Sequence, residues 1–114
     1  MKTIWKYEIY PEFENQIIEM PTGAVILSFG LDGNDQLCFW AQVDDSAPLE
    51  EHLVACVGTG WPMENVFNAK DRYACFIGTV THGQYVWHLI DLGAGPVKEN
   101  FNLQSEMLDS EVGA

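Results

Sequence analysis

Residues 25–43 read VILSFGLDGNDQLCFWAQV. Val25, Leu27, Phe29 and Leu31 alternate with Ile26, Ser28, Gly30 and Asp32, and Leu37, Phe39, Ala41 and Val43 alternate with Cys38, Trp40, Gln42 and Asp44. Between them, Asp32-Gly33-Asn34-Asp35 supplies residue types that accept positive φ. Period two on both sides of such a turn predicts a β-hairpin, and the rest of the chain has to pack around it.

The alternation extends outward on both sides. Thr3, Trp5, Tyr7 and Ile9 alternate with Lys2, Ile4, Lys6 and Glu8, which predicts a first strand with one aromatic face, ended by Pro11. Glu12 to Asn15 reads as a polar connection, and Gln16 to Met20 as a short strand stopped by Pro21-Thr22-Gly23. After the hairpin, Asp44 to Glu51 places four carboxylates in eight residues around Pro48 and reads as a solvated loop. His52 to Val57 is nearly continuous in apolarity, which predicts a fifth strand covered on both faces.

Pro62 suits the first position of a short helix running to about Phe67. Tyr73 to Thr81 and Tyr85 to Asp91 flank Thr81-His82-Gly83-Gln84 as a second hairpin, with Gly78 marking a bulge. Seven short, evenly spaced strands predict an all-β domain over residues 1–93, a small antiparallel β-sandwich or barrel with one short helix. Residues 94–114 read as an acidic tail, weakly helical or disordered, with Glu99, Glu106, Asp109 and Glu111 against Lys98 alone.

Composition narrows the function classes. A chain of 114 residues with 47% apolar and 19% charged residues can form one folded core without disulfide staples. No apolar run is long enough to span a bilayer, and MKTIWKYEIYPEF has charges where a signal peptide would be apolar, so a cytoplasmic location in the host cell is expected. The net charge is −12, and between Lys6 and Lys70 eleven acids accumulate with no Lys or Arg. Such a surface repels phosphate backbones and anionic lipid, so direct binding to nucleic acid or membrane is not expected. Its bland meaning is solubility, and its sharper meaning is docking on a basic groove of a protein partner.

Catalytic and metal signals are sparse. Cys38, Cys56 and Cys75 lie 18 and 19 residues apart among apolar neighbours, without C-x-x-C or a nearby ligand pair, and read as reduced thiols. Gly58-Thr59-Gly60 lacks the Gly-Lys-Ser/Thr that would make a phosphate loop. Ser28, Ser46, Ser105 and Ser110 lack a nucleophile elbow, and His52, His82 and His88 share no motif. His88, beside Trp87 on a strand, reads as a satisfied sheet histidine. No catalytic residue, metal or cofactor is therefore assigned. Trp5, Trp40 and Trp87 read as core, and Trp61, after a glycine turn, as a partly exposed contact anchor.

The opening Met1-Lys2-Thr3-Ile4-Trp5-Lys6-Tyr7, the segments Met20 to Ala24, Ile26 to Ser28 and Leu37 to Asp44, then Gly58-Thr59-Gly60-Trp61-Pro62, Ile77 to Val80 and Val86-Trp87-His88-Leu89 together resemble a family of short uncharacterised phage and prophage proteins. The resemblance covers residues 1 to about 91, implies a phage or mobile-element origin, and brings no catalytic residues with it. This chain departs from the pattern over Asn65 to Arg72 and in its acidic tail.

The leading expectation is a non-enzymatic inhibitor of a host defence machine, for example an anti-CRISPR protein. Its nucleic-acid-mimicking surface would use Asp44, Asp45, Glu50, Glu51, Trp61, Glu106, Asp109 and Glu111 against a basic host protein. The alternative is a structural or accessory phage protein whose strands pair with copies of itself, the charge serving solubility. Behind both stands an enzyme or small-ligand pocket lined by Trp5, Trp40 and Trp87.

Overall fold

The structure, a computed structural model, describes residues 1–66 and 74–95. Seven strands follow one another: β1 (Lys2–Glu8), β2 (Gln16–Pro21), β3 (Val25–Leu31), β4 (Leu37–Asp44), β5 (Leu49–Gly58), β6 (Cys75–His82) and β7 (Tyr85–Ala94). They form two antiparallel sheets, ordered β1-β4-β3 and β2-β5-β7-β6. The all-β class is thus seen directly, and no helix among the described residues is long and apolar enough to cross a membrane.

The β3–β4 hairpin closes at Leu31↔Leu37. Asp32 builds the turn: its Oδ1 accepts from the N–H groups of Asn34 (2.8 Å) and Gln36 (3.1 Å). The left-handed position falls on Asp35 (φ 59°) and not on Gly33, because a short Asp side chain tolerates that conformation. A bulge between Ile26 and Ser28 shifts the alternation read from the sequence: Ile26 is buried, while Val25 and Leu27 are exposed. At the second hairpin, Gly83 (φ 64°) takes the first loop position between His82 and Tyr85, the glycine placement of a type II′ turn. The predicted bulge near Gly78 is present, between Phe76 and Gly78.

Between the sheets lies the main core. Phe39, Ala41 and Val43 come from β4, Val54 and Cys56 from β5 and Leu89 from β7, with Phe29, Leu31, Ile77 and Trp87 packed against them. The other residues of β5, Leu53, Ala55 and Val57, enter a second cluster with Val66 and Leu92, so both faces of this strand are covered as its continuous apolarity predicts.

Three expectations need correction. Pro62 to Val66 forms a single turn, with the Val66 N–H bonded to the Met63 carbonyl, and Asn65 bridges Glu14; backbone pairing with the β1–β2 connection displaces the helix that Pro62 suggested, and Phe67 lies outside the described residues. β5 starts at Leu49, so Glu50 and Glu51 belong to a strand paired with Met20 and Glu19 and not to a loop. β7 runs on to Ala94, beyond the strand end expected at Asp91, and residues 96–114 of the proposed tail lie outside the described residues.

Asp32 also carries an ionic link. Lys6 Nζ lies 2.9 Å from its Oδ2, and this contact, followed by the two turn N–H groups, lowers its carboxyl to about 2. A carboxylate lowered in the folded state contributes stability above its ordinary value of 3.8 and loses it as pH falls toward about 2. Asp32→Asn should therefore flatten the acid limb of a melting-temperature profile across that window; parallel profiles for the two proteins would show that Asp32 contributes nothing there.

Candidate functional site: an aromatic strip with a carboxylate rim

The site is assembled where β5 ends. The Trp61 N–H bonds back to the Gly58 carbonyl at 3.1 Å and Gly60 takes a φ of 87°, so the chain reverses tightly and lays the Trp61 indole over Gly58. Only glycine fits beneath it. A Cβ at residue 58 would sit 2.8 Å from Trp61 Nε1 and 3.0 Å from the Trp87 ring. On the other side, the Glu12 N–H bonds the Cys56 carbonyl at 3.0 Å and brings the β1–β2 connection alongside.

That connection carries Phe13 onto Trp61, with ring centroids 4.4 Å apart. Trp61 meets Trp87 edge-on at 5.4 Å, and Trp87 stacks on Tyr85 at 5.5 Å. Four rings from three separate stretches of chain form one continuous strip. Its ends are open, Phe13 being 53% and Tyr85 55% exposed, and the neighbouring Met63 is exposed as well. Glu12, Glu14 and Glu64 are exposed on the segments that carry Phe13 and Met63, and no Lys or Arg occurs between Lys6 and Lys70 to offset them. Edge-on and offset rings of this kind hold each other in place and present apolar area at low entropic cost.

Trp61 therefore stands in the half-buried middle of the strip, and Phe13 and Tyr85 are its exposed ends. Phe13 escaped the sequence reading because Glu12, Glu14 and Asn15 made its segment look purely polar; an aromatic between acids was the available signal. The other three tryptophans do not share a cavity. Trp87 packs on the core, Trp5 is 40% exposed on the edge strand β1, and Trp40, one register position from the residue opposite Trp5, lies on the opposite face of the same sheet, over Gly30. Trp5 and Trp40 are thus not core residues, and the pocket lined by Trp5, Trp40 and Trp87 is not formed.

The expected acidic residues are scattered. Asp44 and Asp45 face the N-terminal ammonium at 3.2 and 3.1 Å. Asp44 is lowered to about 2, first by the Ser46 hydroxyl at 2.7 Å, and Asp45, followed by Asp44, raises the ammonium. These two carboxylates are engaged within the chain. Glu50 is half-buried opposite Met20, whereas exposed Glu51 sits directly opposite exposed Glu19, a like-charge pair that costs stability. Glu106, Asp109 and Glu111 lie outside the described residues.

A profile of the family described as a domain of unknown function, DUF7352, matches residues 1–98. The chain belongs to that family. No curated protein and no solved structure matches it significantly. In this DUF7352 domain the match takes in all seven strands and the whole aromatic strip.

Four reactive groups elsewhere in the domain, His52, His88, Cys38 and Cys56, are paired or buried. His52 Nε2 lies 2.7 Å from Asp91 Oδ1, 39 residues away, and the two are only 5% and 8% exposed. Both ring nitrogens of His88 are occupied by threonine hydroxyls, Thr59 at 2.7 Å and Thr79 at 3.0 Å, in keeping with a satisfied sheet histidine. Cys38 and Cys56 are buried free thiols, and burial pushes Cys56 up to about 12, far from the thiolate form that reacts. Among the described residues no group of three or more His, Cys, Asp and Glu side chains is placed to hold a metal ion.

Proposed function

We propose that the chain is a non-enzymatic protein-binding domain whose aromatic strip and carboxylate rim dock on a basic surface of a partner protein. The observation that carries this reading is the strip itself: stacked rings, open at Phe13 and Tyr85, with Glu12, Glu14 and Glu64 beside them. Preordered aromatics supply affinity, and the surrounding charge speeds encounter with a basic patch. The net charge of −12 makes a surface that ordinarily holds nucleic acid the fitting class of partner. Inhibition of a host defence machine is the narrower form of the reading, supported by that charge and by the resemblance to phage proteins.

Tagged full-length protein should retain a partner from lysate of the cell that encodes it, release it as salt is raised, and lose it to competing duplex nucleic acid. Phe13→Ser with Tyr85→Ser, and separately Glu12→Lys with Glu14→Lys and Glu64→Lys, should abolish retention while leaving the melting temperature within a few degrees. Retention of the same protein by both variants, unchanged across the salt series, would overturn the reading; altered aggregation alone would leave the charge a solubility device.

A further inference from the structure

Four strands lie at sheet edges, β1 and β3 in one sheet and β2 and β6 in the other. Exposed edges invite pairing, and bulges, prolines and shortness blunt them. β3 is bulged between Ile26 and Ser28, β6 between Phe76 and Gly78, and β2 is six residues long and ends in Pro21. β1 has neither bulge nor proline: its seven residues pair with β4 without a register shift, and its edge charges, Lys2, Lys6 and Glu8, guard it against most strands but complement a second antiparallel copy of itself.

Hydrogen bonds flanking this strand set its phase. The Ile9 N–H bonds the Leu37 carbonyl and the Asp45 N–H bonds the Met1 carbonyl, so odd-numbered residues exchange main-chain bonds with β4. The N–H and C=O groups of Lys2, Ile4, Lys6 and Glu8 consequently point to the open edge, where no described residue pairs with them. Ile4 is 58% exposed there.

We propose that β1 pairs antiparallel with β1 of a second copy of the chain, about a two-fold axis through Trp5, joining the two three-stranded sheets into one. The sequence selects this register. Centred on Trp5, the whole strand overlaps; Lys2 faces the second copy's Glu8 twice over, Thr3 faces Tyr7, and Ile4 faces Lys6. Centred on Ile4, Lys2 would face Lys6; centred on Lys6, Lys2 and Thr3 would have no partner within the strand. The pairing also suits the charge. Lys2, Lys6 and the N-terminal ammonium are gathered on and beside β1, where they offset Glu8, Asp32, Asp44 and Asp45, so the two copies meet along a nearly neutral part of a chain with net charge −12.

This inference does not rest on the aromatic strip, and its salt dependence has the opposite sign. Screening the repulsion between two acidic copies should strengthen dimerisation, whereas it weakens docking on a basic partner. Sedimentation velocity of the full chain should show a monomer–dimer equilibrium that shifts toward dimer as salt rises.

Ile4→Pro removes an N–H aimed at the open edge and none aimed at β4, so it should weaken dimerisation about tenfold or more, because two-fold symmetry deletes the bond twice. Glu8→Lys alone should also weaken it, and Lys2→Glu combined with Glu8→Lys should restore it, a rescue that a purely structural effect would not give. Ile4→Pro should still bind whatever the strip binds, and Phe13→Ser with Tyr85→Ser should still dimerise. A wild-type chain that stays monomeric at every concentration and salt, a dimer unaffected by Ile4→Pro, or a charge swap without rescue would each overturn the proposal.

Discussion

Truncation of Phe39 to Ala should lower unfolding free energy by about 3–5 kcal/mol, the range for deleting a large aromatic from a close-packed core. Phe39 is 0% exposed and sits on β4 directly between Tyr7 on β1 and Phe29 on β3. Its ring stacks on Tyr7 at 5.2 Å, so removal costs that contact as well as the buried area. Neighbours cannot close the gap easily, because β4 is the central strand of its sheet and both flanking strands would have to shift. Glu14→Ala, on an exposed connection, should cost less than about 0.5 kcal/mol. Urea denaturation of both variants decides the matter, and comparable losses would mean that the inter-sheet core is assigned to the wrong residues.

The contrast between these two positions also shows which parts of the fold were legible in the sequence. Phe39 belongs to a strand whose alternation is strong, and period two puts Phe39, Ala41 and Val43 on one face before any packing is known. β5 was legible for the opposite reason: its lack of alternation signals two covered faces, and two clusters do share it. What failed was local geometry settled by distant chain. The bulge at Ile26 and Ser28 moves Val25 and Leu27 out of the core although their pattern continues that of Phe29 and Leu31. Glu50 and Glu51 become strand residues because β2 offers them partners, a long-range fact that local polarity conceals. Pro62 does not start a helix because the turn that seats Trp61 and the bridge from Glu14 to Asn65 use the same backbone. For the candidate site, Trp61 could be singled out by its glycine turn, but Phe13 and Tyr85 join it only through the Glu12–Cys56 bond and the β5–β7 register.

His52 and Asp91 were illegible for the same reason, and they give the second large expected effect. They approach at 2.7 Å beside the bulge in the β5–β7 pairing, and Asp91 Oδ1 also accepts from the Gly93 N–H at 2.9 Å. The two halves of the pair are not equivalent. Removing either side chain alone leaves a buried polar group short of a hydrogen bond, and a carboxyl group is the costlier of the two to leave so in an interior. His52→Ala should therefore cost up to about 3–5 kcal/mol, the range for removing one partner from a buried ionisable pair. Asp91→Ala takes an acceptor from the imidazole and from the Gly93 N–H and should cost about 1–3 kcal/mol. The double variant His52→Ala with Asp91→Ala removes both polar groups together and should cost clearly less than the sum of the two single variants, so the double-mutant cycle should show strong coupling. Equal losses for the two single variants, adding without coupling in the double, would mean that the two side chains act independently and that the bulge, not the pair, holds β5 to β7.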